Sequence, residues 1–146
     1  MSKKLSYKGT INMGEQDRIK LRTLNGKTGY KITKFQILSQ QPGQSNVEFV
    51  AKITKTDQTG SIAATVEFTN SDLLAVAYYQ DEGNASRQNE TIIFDNEMFN
   101  QNIFINITDA AGATTQCNYY IELETQSLND LEATMLTLKS IKTIKS

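Results

Sequence analysis

Val47-Glu-Phe-Val-Ala-Lys-Ile53 is the stretch of this 146-residue sequence that decides the fold. Apolar residues at alternate positions would point to the same side of an extended chain: Val47, Phe49, Ala51 and Ile53. This period of two predicts a half-buried β-strand, because an amphipathic helix repeats its apolar residues every three to four positions. Turn residues follow at 57–61, and the alternation then returns at Ile62, Ala64, Val66 and Phe68. We therefore expect a β-hairpin over residues 47–68.

A second hairpin is predicted over residues 18–38. Ile19 and Leu21 alternate with three bases, and a longer alternating run starts at Tyr30. Between them, Asn25-Gly-Lys-Thr-Gly29 contains glycines that tolerate the positive φ of a tight turn. We expect both hairpins to contribute to one sandwich core, formed by Ile19, Leu21, Ile32, Phe49, Ile53, Val66 and Phe68.

The rest of the chain to residue 126 repeats short apolar runs separated by turn residues. Further strands are predicted at 76–80, 91–94, 103–107 and 114–125, with a helical turn at 70–75 and the longest loop at 81–90. About eight strands at this spacing are typical of a sandwich or barrel. We expect an all-β fold: an antiparallel, jelly-roll-like sandwich as one domain over residues 1–126.

Residues 127–146 change period. Apolar side chains recur at helical spacing, at Leu128, Leu131, Met135, Leu138 and Ile141. Asn129 and Glu132 have the spacing of a capping box, and lysines follow where the dipole of a helix is negative. Three threonines leave a strand open as the alternative. We expect an amphipathic helix or arm that either covers an open end of the domain or docks onto another subunit.

Charge is segregated along a chain whose net value is only −1. Residues 1–55 carry eleven Lys/Arg against three acids, whereas residues 56–138 carry thirteen acids against one base. Surfaces of opposite sign complement each other between neighbouring molecules. The sequence therefore predicts an oligomer or a lattice-bound subunit. Its expected interaction residues are Leu131, Met135, Leu138, Ile141, Lys139, Lys142, Lys145, Arg18, Lys20 and Arg22.

Composition argues against most catalytic sites. The chain has no His and one Cys, so it contains neither a Ser-His-Asp arrangement nor the usual ligands of zinc and copper. Paired acids such as Glu122 and Glu124 are more typical of a solvated strand face than of a carboxylate active site. Gly26-Lys-Thr28 lacks the upstream glycine of a phosphate-binding loop. We expect a protein that is not an enzyme and that has no metal and no cofactor.

Other partner classes are weighed against these patterns. Few aromatic residues accompany the early lysines, which disfavours single-stranded nucleic acid as a partner. No run approaches the roughly 20 apolar residues of a membrane helix. The alternative to a structural subunit is a fibre-like or carbohydrate-binding sandwich module. Its stacking platforms would be Tyr78, Tyr79, Tyr119 and Tyr120.

Two adjoining stretches carry a family resemblance. Asn118-Tyr-Tyr-Ile-Glu-Leu-Glu124, followed by Leu128-Asn-Asp-Leu-Glu-Ala-Thr-Met-Leu-Thr-Leu-Lys-Ser-Ile-Lys142, resembles the endings of small virion proteins of marine tailed bacteriophages. The resemblance covers about 30 residues and contains no catalytic signature. It implies a structural role as a capsid-associated or decoration protein, in contact with other virion proteins or with copies of itself. It also implies localisation to the virion, assembled in the host cytoplasm.

Overall fold

Eight β-strands and one C-terminal helix account for most of the described chain. The computed structural model describes residues 3–21, 27–42, 46–82, 87–94 and 97–145, except for the side chains of 82, 87 and 140–145. The strands are β1 (Lys3–Ile11), β2 (Gln16–Ile19), β3 (Thr28–Ser39), β4 (Asn46–Thr54), β5 (Leu73–Glu82), β6 (Arg87–Ile93), β7 (Ile103–Asp109) and β8 (Cys117–Ser127). The helix is α1 (Asp130–Lys145).

The strands form two antiparallel sheets. One has three strands in the order β1-β8-β3, and the other has five in the order β2-β7-β4-β5-β6. The alternating side chains of both sheets meet in one apolar core. The largest fully buried apolar side chains are those of Phe35, Phe49, Ile53, Leu74, Ile103, Ile105, Ile107, Ile121, Leu123 and Val47. The expected all-β sandwich with a C-terminal helix is confirmed.

The hairpin predicted over residues 18–38 is wrong in its pairing. β2 pairs with β7 in the five-stranded sheet, whereas β3 pairs with β8 in the other sheet. Residues 22–26 of the predicted turn lie outside the described residues. Ile19, Leu21 and Ile32 are nevertheless buried as expected. An alternating pattern determines which side chains of a strand face the core. These side chains are the same whether the two strands pair in one sheet or lie in opposite sheets of a sandwich.

The hairpin predicted over residues 47–68 is also wrong, because residues 62–68 are not a strand of either sheet. β4 pairs with β5 along one edge and with β7 along the other, so it has no free edge for a further partner. Phe49 and Ile53 of β4 are fully buried as predicted. Val66 is only half-buried and Phe68 is 57% exposed, so neither belongs to the core.

Three further local predictions are corrected. The predicted helical turn at 70–75 is a turn in which Asn70 Oδ1 accepts a hydrogen bond from the backbone of Asp72 at 3.0 Å, and strand β5 starts at Leu73. Most of the predicted loop at 81–90 belongs to β5 and β6, and residues 83–86 lie outside the described residues. β6 is an edge strand rather than a buried one, with Ile92 37% exposed.

Strand β1, which alternation did not reveal, packs along β8 through a close contact at Gly9. Gly9 pairs with Tyr119, and a Cβ atom added at Gly9 would lie 2.7 Å from Tyr119 Oη. The tyrosine ring therefore occupies the space that a side chain would need. Its hydroxyl donates a hydrogen bond of 3.0 Å to Asp17 Oδ2 on β2, which links the two sheets. Burial and the neighbouring Asp17 carboxylate raise the pKa of Tyr119.

Candidate interaction surfaces

Helix α1 starts at the capping box that the sequence predicted. The Asn129 backbone donates to Glu132 Oε1 at 3.1 Å, and the Glu132 backbone donates to Asn129 Oδ1 at 2.8 Å. These reciprocal bonds satisfy groups that a helix N-terminus leaves unpaired. Just before the helix, Leu128 is buried and its N–H donates to Lys27 O at 2.7 Å. The entry into the helix is therefore held by both packing and backbone hydrogen bonding.

One face of α1 docks on the body of the sandwich. Ala133 is 5% exposed, and the buried Asn100 lies beneath it. Asn100 Nδ2 donates to Ala133 O at 3.3 Å and to Thr137 Oγ1 at 3.0 Å. A small residue at 133 lets the helix backbone approach this amide closely. The contact fixes which face of the helix is turned inward.

The carboxylate of Glu97 links helix α1 to the residue that follows strand β4, because it contacts both Lys139 and Lys55. Glu97 Oε2 lies 3.1 Å from Lys55 Nζ and 3.2 Å from Lys139 Nζ. The Lys55 side chain is 5% exposed, so this ion pair is largely shielded from water. Burial acts to raise the pKa of Glu97, but the hydrogen bond and charge of Lys55, reinforced by Lys139, outweigh it and hold the pKa below its ordinary value.

The opposite face of α1 carries an exposed apolar stripe, which we define as Leu131, Met135 and Leu138. These side chains are 69%, 62% and 52% exposed, respectively. Successive helix residues are rotated by about 100°, so Leu131 and Met135 each lie about 200° from the docked Ala133. The sequence placed Ile141, Lys142 and Lys145 on the same surface, but their side chains lie outside the described ones.

The early basic residues do not form one continuous surface. Arg18 and Lys20 are exposed at and just beyond β2, while Arg22 lies outside the described residues. Lys52 is half-buried on the central strand β4, two strands away from β2, and burial lowers its pKa. Lys55 is buried against Glu97. The lysines that remain exposed cluster instead on the three-stranded sheet.

A connection that we name the strap, residues 57–68, crosses the outer face of the five-stranded sheet. At one end Gln16 Nε2 donates to Asp57 Oδ1 at 2.5 Å and to Thr59 Oγ1 at 3.0 Å. In its middle, Thr65 O accepts from Lys52 Nζ at 2.9 Å. At the other end the rings of Phe68 and Phe94 meet edge to face, 5.2 Å apart. The contacts follow the strand order from β2 through β4 to the end of β6.

Unpaired polar atoms lie between the anchors of the strap. Asn106 pairs with Gln16 on β2 and with Lys52 on β4, so its side chain shares their face. Asn106 is 1% exposed. Among the described residues, neither Asn106 Nδ2 nor Asn106 Oδ1 has a hydrogen-bond partner, and nor does Thr108 Oγ1 two residues later.

The outer face of the three-stranded sheet carries an open groove of about 650 Å³. It spans all three strands, and six of its lining side chains are Lys8, Thr10, Gln36, Leu38, Asn118 and Tyr120. Leu38 is 48% exposed, and Tyr120 lies 6.0 Å from Lys34 Nζ, measured to the ring centroid. The sequence contained one signal of this surface. Ile37 and Leu38 are consecutive apolar residues in a strand, so one of them has to face outward.

The tyrosines predicted as stacking platforms fall into two groups. Tyr79 and Tyr119 are buried in the core, at 4% and 8% exposure, and offer no ring face to a ligand. Tyr78 and Tyr120 are half-buried on the outer faces of different sheets. Tyr120 lines the groove with its half-buried ring, and the buried Tyr119 also borders it.

Cys117 is at an inward position of β8. It is fully buried, and burial raises the pKa of its thiol to about 12. Among the described residues, no group of three or more His, Cys, Asp or Glu side chains is placed to hold a metal ion. No helix in the described ranges is long and apolar enough to cross a membrane.

No protein-family model matches the sequence, and no curated protein matches it.

Proposed function

We propose that this chain is a non-enzymatic structural protein of a virion, capsid-associated or decorating, that acts through contacts with other subunits. The observation that carries the proposal is the exposed apolar stripe on α1. Three large apolar side chains at helical spacing are 52–69% exposed on a helix whose opposite face is docked. Contiguous exposed apolar surface of this kind marks interaction sites in soluble proteins.

The anchoring of the helix explains why the stripe needs another molecule. Ala133 and Thr137 hold one face against Asn100, and the Glu97 carboxylate holds Lys139. The stripe cannot turn toward its own domain without breaking these contacts. A helix presented in this way gives a preformed surface, which lowers the conformational entropy lost on binding.

The partner class follows from the same surface and from the family resemblance of residues 118–142. The stripe fits a copy of the same chain or another virion protein, and the segregated charge supports association between neighbouring subunits. The place of action is the virion, with assembly in the host cytoplasm.

A double substitution in the stripe tests the proposal. Met135→Lys with Leu138→Lys adds two charges to the exposed face, and Thr134→Lys is the matched control because Thr134 is exposed on the same helix outside the stripe. Sedimentation and binding to capsid shells would be measured for each protein. We expect the double variant to lose association while its melting temperature is unchanged. Association equal to that of the control would contradict the proposal.

A further inference from the structure

The two sheets differ in what covers their outer faces. On the five-stranded sheet the strap lies over Asn106, and Val50 and Val76 on that face are only 7% and 8% exposed. On the three-stranded sheet the outward side chains of β1 are exposed, and Leu38 on β3 is 48% exposed. Among the described residues, no strap lies across this second face, and Asn89 of β6 borders the groove that it contains.

The groove offers space and exposed apolar surface to an inserted apolar side chain. Its lining combines the exposed Leu38 side chain and the Tyr120 ring with the polar side chains of Thr10, Gln36 and Asn118. A volume of about 650 Å³ lies within the range of roughly 300–1,000 Å³ that holds inserted ligand groups. An amphipathic helix recognises such a groove through apolar anchors spaced three and four residues apart. Leu131, Met135 and Leu138 have this spacing.

Charges around the groove complement those of the helix. Lys8 lines the groove, and Lys34 stands beside Tyr120, so that acids in the first turn of a docked helix find bases there. That first turn contains Asp130 and Glu132. A second set of charges has the opposite arrangement, with acids on the sheet and bases on the helix. Glu122 and Glu124 face outward on β8, and the second half of α1 carries Lys139, whose Nζ also lies 3.2 Å from Glu97 Oε2.

We infer that the stripe of one copy seats in the groove of a second copy. The inference rests on the proposed function and names its partner. It also places both halves of the contact on one chain, since each molecule offers a stripe and a groove.

Area favours this contact over pairing of two stripes. Three apolar side chains of this size offer roughly 300 Å², whereas a specific interface buries about 800 Å² on each partner. A helix laid across a three-stranded sheet also buries the side chains beside the stripe, with residues from all three strands. The contact is heterologous, because stripe and groove are different surfaces. Repeating it gives a ring or an open array of subunits.

Mixing two different variants tests the inference directly. The stripe variant is Met135→Lys with Leu138→Lys, the groove variant is Leu38→Lys, and the matched control is Thr33→Lys, which is exposed on β3 but does not line the groove. Full-length proteins would be compared by analytical ultracentrifugation, alone and as a 1:1 mixture. Each variant keeps one intact half of the contact.

The expected result is that each variant alone is monomeric, while the mixture forms a dimer that grows no further. Wild type and control should assemble beyond the dimer, and salt at about 0.5 M should weaken assembly because exposed charges are screened. Melting temperatures would show whether a monomeric variant is still folded. If Leu38→Lys lost its fold, Gln36→Lys at the same groove would replace it.

Three outcomes would overturn the inference. One is loss of assembly in the stripe variant but not in the groove variant, which leaves the proposed function in place with another acceptor. Another is a mixture that stays monomeric. The third is a wild-type chain that remains monomeric while glycans from a panel shift the NMR signals of Tyr120 and Leu38, which would assign the groove to a carbohydrate.

Discussion

Replacing Asn106 by leucine is expected to stabilise the protein. The Asn106 side chain is 1% exposed beneath the strap, and neither its donor nor its acceptor has a partner among the described residues. An unpaired buried polar group costs about 1–3 kcal/mol, and an apolar replacement of similar shape removes that cost. We therefore expect Asn106→Leu to raise the free energy of unfolding by about 2 kcal/mol. For a chain of this size that corresponds to a melting temperature higher by roughly 5–10 °C.

Thermal and urea unfolding followed by circular dichroism would measure this change, with an unchanged urea m-value as the sign that the folded state keeps its compactness. Asn106→Asp is the matched control, because it places an unpaired charge at the same site and should destabilise strongly. Thr108→Val should stabilise in the same direction by a smaller amount, since it removes one unpaired hydroxyl. A melting temperature of Asn106→Leu below that of wild type would refute the reasoning, because it would mean that the amide is hydrogen-bonded under the strap.

Three other substitutions test the core, the sheet contact and the helix anchor. Phe49→Ala should lower the free energy of unfolding by about 3–5 kcal/mol in a urea titration, because Phe49 is fully buried; a loss under about 1 kcal/mol would place it outside the core. Gly9→Ala should cost about 1–3 kcal/mol by overpacking against the Tyr119 ring, and near-ultraviolet circular dichroism would report the displaced tyrosine. The pKa of Glu97 is lowered in the folded state, so its carboxylate stabilises the fold at neutral pH and this contribution is lost as pH falls through that pKa. Glu97→Gln should remove that part of the acid dependence of the urea midpoint between about pH 2 and 6, and an unchanged profile would show that the ion pair with Lys55 does not contribute.

Alternation along single strands was enough to predict the fold class and much of the core. Phe49 and Ile53 of β4, and Ile19 and Ile32 of two other strands, are buried as their periods indicated. The period states which face of a strand is apolar, and that requirement is the same in any sandwich. Helix α1 could also be predicted from the sequence, because its capping box and apolar spacing are local features.

Strand pairing was not predictable, because partners are chosen across the whole chain. Residues 62–68 alternate as well as any strand, yet both edges of β4 are taken by β5 and β7. β1 alternates weakly, with Gly9 at an inward position, and it forms a strand because β8 offers a free edge. Both outcomes depend on which strand edges the rest of the chain leaves free, and a local pattern does not show this.

Of the two candidate surfaces, one could be predicted from local sequence and the other depends on strand pairing. The stripe on α1 was predictable from helical spacing, including Leu131 and Met135. The groove was not, because it exists only when β1, β8 and β3 lie side by side. Its one sequence signal was the consecutive pair Ile37 and Leu38, which shows that an apolar side chain faces outward but not what lies beside it.

The central place of β8 in its sheet also sets an order of events during synthesis. β1 and β3 do not pair with each other, and each reaches its sheet only by pairing with β8, at residues 117–127. All strands of the five-stranded sheet precede β8 in the chain. A ribosome extends a chain by about 5–20 residues per second, so the five-stranded sheet has time to form before β8 is synthesised. During this time β1 and β3 have no strand to pair with. Closure of the sandwich is then a late, long-range step, which makes folding slow for a chain of this length and leaves the basic β1 segment exposed until the end.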